Sequence, residues 1–469
     1  MGSELNNLTR DQFAYTRYNS RKRVVSIIPL ALLLISFFYC LPLGRFSLGR
    51  FDSDFRIFDF AILIAFSYYF SQSSITQELA ILVRTKQWFL RWLKVLAVLV
   101  VFSILVALLY SGTSFLLPTL IRVYRFIAYL TVPFLVFAVV RTKADYLFFF
   151  RLMFWLMAGV GSIAFLQGLG LLPNLWPEIW QLMYSDNNAP VATLSPHHKH
   201  IGVIMLVGVC LGIGYLIRTR SLILKIIIGV SCLIMFTVPL FTGTRTYLLG
   251  FAGVIPGILF VGRGRGIIPI SVMVISATIF LQYYGSEITS RVEQKFDDRV
   301  TTRIEKLGYE GLYRERTVIY LDIFATLVKY PYLLVTGTGY QNIHRFIGAT
   351  GAHNNYLQVL MELGLFGFVV FISFLALLWK NLRQVSRRVR DADVVTFSNY
   401  TWVALCGILL TMFVGETFWG QAAMFTLAGQ LSFLFGLIVS PHYWISKYKI
   451  LYERHYRLQE NPIIQSKAT

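Results

Sequence analysis

The chain has 469 residues, of which 56% are hydrophobic, 16% aromatic and only 14% charged, with a mean hydropathy of +0.62. Ordinary globular chains carry about 25% charged residues, so a soluble enzyme, a coiled coil and a disordered chain are all excluded. In a chain this apolar, the net charge of +20 reads as loop Lys and Arg meeting anionic lipid, not as a nucleic-acid footprint.

Residues 1–23 form a cytoplasmic N-terminal segment ending in Arg21-Lys22-Arg23. The apolar run from Val24 to Leu43 that follows is too long for a cleaved signal peptide and lacks a small-x-small cleavage site. It is the first span. A helix needs about 20 apolar residues to cross roughly 30 Å of hydrocarbon. On that ruler twelve segments qualify, near 24–43, 57–73, 93–111, 119–141, 146–171, 200–217, 222–241, 246–261, 267–284, 354–379, 396–415 and 421–440. The expected fold is an all-α polytopic membrane protein. Nine transmembrane helices lie in 24–284, a large periplasmic loop with short helices fills 285–353, three more helices lie in 354–440, and 441–469 is a cytoplasmic tail. Cys40, Cys210, Cys232 and Cys406 all sit inside apolar runs, so neither a zinc site nor a disulfide framework is expected.

Charge sets the sides. Alternate connections carry Arg84, Lys86 and Arg91, then Arg141 and Lys143, Arg218 and Arg220, Arg263 and Arg265, and Lys380 to Arg390. The opposite short connections, 112–118 and 416–420, hold no Lys or Arg. The positive-inside rule then places both termini in the cytoplasm. Residues 172–199 and 285–353 fall outside. The former holds Trp176, Trp180 and Tyr184, suited to a membrane interface. The latter holds an apolar stripe of Val292, Phe296, Val300 and Ile304, then a second helix from about Glu315 to Lys329 that stops before Pro331.

Spans six, eight and ten run from outside to inside, so their N-termini face the outer surface. They start at His197-His198-Lys199-His200, Gly243-Thr244-Arg245-Thr246 and His353-Asn354-Asn355-Tyr356. A helix N-terminus carries about half a positive charge and free N–H groups, which suits an anion. Cations at three such ends point to one anionic ligand, although a basic residue at a boundary also serves to contact lipid phosphate. Arg122 and Arg125 share a helix face near the outer end of span four, where arginines face a bundle interior or a water-filled cavity. His344 and Arg345 read as solvated loop residues, and Glu362 and Glu416 as isolated carboxylates. Asp297-Asp298 reads as a solvated face, so no metal is expected.

The stretch His353-Asn354-Asn355-Tyr356-Leu357-Gln358 through Glu362-Leu363-Gly364-Leu365-Phe366-Gly367 resembles the H-N-x-Y-L-x-x-x-x-E-x-G-x-x-G of the O-antigen ligase and O-antigen polymerase family. Pro331 with Gly337-Thr338-Gly339 resembles the proline and G-x-G that precede it, and Arg316 matches the family's loop arginine. Gly243-Thr244-Arg245-Thr246 resembles its S/T-R-x motif. His198-Lys199-His200-Ile201-Gly202 stands where an Asn-containing pattern is commoner. The resemblance covers roughly residues 195–380, and the N-terminal half only in topology.

That resemblance implies a cell inner-membrane glycosyltransferase. It would move a glycan from undecaprenyl diphosphate to an acceptor glycan or to lipid A-core on the periplasmic face, without cofactor, metal or nucleotide sugar. A chain-length regulator is a candidate partner, and nucleic acid is not. Arg245, Arg316 and His353 are the expected catalytic residues. Lys199, His200, Arg122, Arg125 and Asn354 are the expected contacts to diphosphate or glycan. Arginine forks suit phosphate oxygens, and a neutral His353 beside a positive helix end suits a general base. The competing readings are a multi-span transporter and a lipid-linked oligosaccharide flippase. Neither a repeat between the halves nor a midplane carboxylate is visible to favour the transporter, and a flippase would line a path through the bilayer with charges instead of gathering them at one face.

Overall fold

The computed structural model describes residues 20–39, 42–48, 51–72, 87–111, 116–173, 199–242, 245–262, 317–340, 342–347, 351–389, 391–413, 430–438 and 440–441. Helices in chain order are α1 (Ser20–Phe38), α2 (Ile57–Phe70), α3 (Gln87–Ser111), α4 (Leu116–Val139), α5 (Lys143–Gly168), α6 (Lys199–Arg218), α7 (Leu222–Thr242) and α8 (Arg245–Gly262). They continue with α9 (317–329), the single turn α10 (Leu333–Thr336), α11 (Asn355–Arg388) and α12 (Ala392–Thr411), and α13 (430–438).

Predicted segment 267–284 lies outside the described residues, and 421–440 is described only from residue 430. Each of the others holds a helix. Five helices, α5, α6, α7, α11 and α12, are long and apolar enough to cross a membrane, and shorter apolar helices run within α1, α2, α3, α4 and α8. A count of twelve spans is therefore not reached among the described residues. The predicted loop helix is present over 317–329 and stops before Pro331. The expected stripe at 292–304 and the aromatic segment at 176–184 lie outside the described residues.

One departure from the all-α expectation separates the first two helices. Strands β1 (Pro42–Leu48) and β2 (Phe51–Arg56) pair antiparallel, with Leu48 opposite Phe51 and Arg45 opposite Asp54. The alternation Arg45-Phe46-Ser47-Leu48 has the period of a strand rather than of a helix. A count of apolar residues up to Leu43 overlooks it.

Helix α6 is the centre of the bundle, packed against α5, α7, α8 and α12. Of residues Ile201–Arg218, 83% are buried, against 33% of Leu222–Pro239 in α7. The outer stripe of α7, Leu222, Ile223, Ile226 and Val230, is exposed, as a lipid-facing surface would be. Small residues set the approach of α8 to α12. A Cβ on Gly250 would meet Thr411 Cγ2 at 2.8 Å, and one on Gly257 would meet Val403 Cγ1 at 3.1 Å. Close backbones of this kind replace the hydrophobic drive that helices lack in lipid. The pairings also fix direction: position rises along α8 as it falls along α12, so the two are antiparallel. Gly407 against Leu206 and Tyr400 against Gly214 make α12 antiparallel to α6 as well. The starts of α6 and α8 therefore lie at the same end of the bundle as the finish of α12.

Candidate functional site at the start of α11

That shared end also receives the start of α11. The N–H of Asn355 donates to the carbonyl of Met412, at the finish of α12, over 2.8 Å. Lys199 and Arg245 open α6 and α8, and His353 and Asn354 precede α11. All three predicted helix starts are thus gathered at one end. The side chains of Lys199, His200, Arg245 and Arg122 lie outside the description, as does the whole of Arg316, the residue immediately before α9.

Asn354 is the N-cap of α11. It has extended backbone (φ −148, ψ 118), and its Oδ1 accepts from the N–H of Tyr356 at 2.9 Å and of Leu357 at 3.1 Å. Such a cap contributes about 1 kcal/mol. The first three N–H groups of α11 are consequently all engaged within the protein. The expected open N–H cradle for an anion does not exist at this helix, because Asn354 and Met412 fill it. What remains for a ligand is the helix dipole and the neighbouring side chains.

His353 is not the cap but the residue before it. It is half-buried, and it adopts φ 50. Left-handed backbone is uncommon outside glycine, although His is among the residues that tolerate it. The turn carrying it is anchored from below. Ala352 donates its N–H to Gln358 Oε1 over 2.6 Å, and Gln358 Nε2 donates to the Glu362 carboxylate. Ala352, Gln358 and Glu362 are all buried. Glu362, read from the sequence as isolated, is therefore the inner end of a hydrogen-bonded line reaching the backbone beside His353. The (i, i+4) spacing of Gln358 and Glu362 is the sequence signal that could have found it.

One turn further, α11 is broken. Gly364 has φ 69 and ψ −175 inside an otherwise continuous helix. A break there releases the carbonyls of the preceding turn. That of Met361 accepts from Thr338 N–H at 2.7 Å, and that of Glu362 from Gly339 N–H at 3.2 Å and from Ser103 Oγ at 3.1 Å. The G-x-G segment is thereby docked onto the kink. Its glycines are required: a Cβ on Gly337 would lie 2.3 Å from the Glu362 carbonyl oxygen, and one on Gly339 would lie 2.4 Å from the Ala107 nitrogen. An apolar cluster including Ile319, Ile323, Leu327, Ile343 and Met361 packs α9 and the 343–347 turn against the first half of α11. Arg345 is exposed but not purely solvated, since its Nη1 donates to the Tyr110 carbonyl at the end of α3 over 2.7 Å.

Arg125, expected at the diphosphate, has an internal partner. It is buried in α4, and its Nε and Nη2 donate to Asp59 Oδ1 at 3.1 Å and Oδ2 at 2.8 Å. Phe58 lies under the guanidinium, 5.4 Å from ring centroid to Cζ. The sequence reading missed Asp59, which lies far away in sequence inside an apolar helix. Among the described residues no three His, Cys, Asp or Glu side chains gather as a metal site would require.

No curated protein matches the chain. A family comparison matches residues 230–372 to the O-antigen ligase model. The matched stretch runs from within α7 through Arg245, α9 and the G-x-G segment to the kinked half of α11, the elements just described. Its likeness over that stretch supports the O-antigen ligase family, and with its several long apolar helices the chain is a multi-pass membrane protein.

Proposed function

We propose that this protein is a glycosyltransferase of the cell inner membrane that moves a glycan from undecaprenyl diphosphate to an acceptor hydroxyl on the periplasmic face. The acceptor is a growing glycan, as in a polymerase, or lipid A-core, as in a ligase. The observation that carries the reading is the gathering of the Lys199, Arg245 and His353 helix starts at one end of the bundle, within or beside the O-antigen ligase match.

The acceptor oxygen attacks the anomeric carbon of the donor sugar. The bond from that carbon to the phosphate oxygen breaks, and undecaprenyl diphosphate leaves with the electron pair. Negative charge grows on the diphosphate, where Arg245 and Arg316 stabilise it most if they are already in place. Lys199, His200 and Arg122 add contacts to diphosphate or glycan. His353 accepts the proton of the acceptor hydroxyl, and Asn354 holds the turn that carries it. Arg125 acts through Asp59, fixing α4 against α2. No metal enters the scheme, because cations supplied by the protein take its place.

Purified protein in nanodiscs, given an undecaprenyl-diphosphate-linked repeat unit and an acceptor, should release undecaprenyl diphosphate and extend the acceptor, in excess EDTA as well. Movement of the intact donor between leaflets without release would replace this reading by the flippase one. Sidedness has its own test. Alkaline phosphatase fused after Gly308 should be active and after Arg388 inactive, as expected for a periplasmic 285–353 loop and cytoplasmic termini; the reverse would move the site to the other face.

A further inference from the structure

The opposite end of the same helices holds a second basic site. Helix α12 runs 20 residues from Ala392 to Thr411, roughly 30 Å at 1.5 Å per residue. Its far end is thus about a membrane thickness from Met412 and the His353 turn. There Lys143, opening α5, pairs with Asp391 at 2.6 Å and Asp393 at 3.0 Å. Arg218, ending α6, pairs with Asp393 from the other side. These ion pairs tie three helices together.

Beside them lies a cavity of about 430 Å³, lined by Arg151, Arg218, Arg220, Ser221, Asp393 and Tyr215 among others. Its charges do not balance. Three arginines face one carboxylate, and that carboxylate is already shared between Lys143 and Arg218. Arg151 stands over Tyr215, 5.6 Å from Cζ to ring centroid. Neither Arg151 nor Arg220 has a carboxylate partner among the described residues. Helix α7 begins on the rim, with Ser221 Oγ accepting from Leu224 N–H at 3.4 Å, so a positive helix end adds to the excess. The first residues of α7 outside the cavity, Leu222 and Ile223, are both 72% exposed, which places an apolar surface at the cavity mouth.

We propose that this cavity binds a phosphate-bearing anion, held by Arg151 and Arg220 with Arg218 at its edge. Two guanidinium groups and a hydroxyl around one void are donors that a phosphate takes, and the dipole of the adjoining helix end adds to their field. The apolar mouth makes a phospholipid headgroup the nearest source, with a soluble phosphate the other. The site is separate from the one proposed for glycan transfer and does not depend on it.

The test uses the full chain in mild detergent. Native mass spectrometry follows retention of added phosphatidylglycerol against phosphatidylcholine, and thermal unfolding follows millimolar inorganic phosphate against chloride at matched ionic strength. Wild type should retain phosphatidylglycerol preferentially. Arg151→Gln with Arg220→Gln should weaken that retention by about thirtyfold, the scale of two arginines facing anionic lipid. Lys380→Gln with Arg387→Gln removes equal charge from the same half of the bundle and should weaken retention far less. Protection by inorganic phosphate, lost in the Arg151/Arg220 variant, would also support the site and identify a soluble ligand. Arg220→Gln alone changes an exposed turn residue with no carboxylate partner among the described residues, so it reports even if the double variant folds poorly. Equal loss in both double variants, or equal retention of the two lipids with no effect of phosphate, would overturn the proposal.

Discussion

Gly339 donates its N–H to the carbonyl of Glu362 over 3.2 Å, and this bond exists because α11 is broken two residues later. In an unbroken helix that carbonyl would be engaged by the N–H four residues on. The kink at Gly364 leaves it for Gly339 and Ser103, so one glycine conformation couples α11, the G-x-G segment and α3.

Gly364→Ala should therefore be severe. Its φ 69 and ψ −175 lie in a region open essentially to glycine, costing about 1–3 kcal/mol for other residues. A Cβ would also lie 2.7 Å from the Val335 carbonyl oxygen. Thermal unfolding in detergent should fall by several degrees, with loss of transfer activity. A variant with wild-type stability would mean that α11 can straighten and that the docked loop is dispensable.

The line from Glu362 through Gln358 to Ala352 gives a graded prediction. Gln358→Ala leaves the buried Ala352 N–H without its acceptor, which costs about 1–3 kcal/mol, and frees the turn that holds His353. Glu362→Gln retains an oxygen that can accept from Gln358. Turnover should fall strongly for Gln358→Ala and mildly for Glu362→Gln, with donor KM little changed in both. Equal and opposite behaviour, with KM rising and turnover intact, would place this line at substrate binding instead.

The helix positions were legible because runs of apolar residues announce themselves over any window of the chain. The start of α11 was legible to within one residue: the sequence pointed to His353, and Asn354 proved to be the cap. Less local features were hidden. A glycine within an apolar run is ordinary, and the kink shows only in the φ of Gly364 and in the bonds that Thr338, Gly339 and Ser103 give to the carbonyls before it. Arg125 looked like a free cation because Asp59, its partner, sits in another helix. The pairing of β1 with β2 was hidden by the apolar residues that alternate within the strands.

Arg125 and Asp59 are separable by a double-mutant cycle. Removing one member of a buried pair leaves an uncompensated charge and costs about 3–5 kcal/mol, whereas apolar replacement of both can be nearly neutral. Asp59→Leu alone should unfold early, and Asp59→Leu with Arg125→Leu should recover most of the loss. Donor binding by the double variant should match wild type. A folded double variant that no longer binds donor would return Arg125 to the diphosphate.

Arg245 and His353 are assigned different parts of the reaction, so their variants should fail differently. Arg245→Lys keeps one positive charge at the start of α8 but loses the planar fork that matches phosphate oxygens; donor binding and activity should both drop. His353→Ala should leave donor binding largely intact and lower turnover, by about 10²–10⁴-fold for a lost general base. His353→Asn sharpens the comparison. Asn accepts left-handed backbone as His does, and Asn354 still supplies the cap through Tyr356 and Leu357. The turn should therefore survive while the imidazole is gone. Turnover of His353→Asn should fall to the level of His353→Ala, measured in nanodiscs at matched insertion. A fully active His353→Asn protein would end the role of His353 as base and leave the arginines to carry the transfer by electrostatics alone.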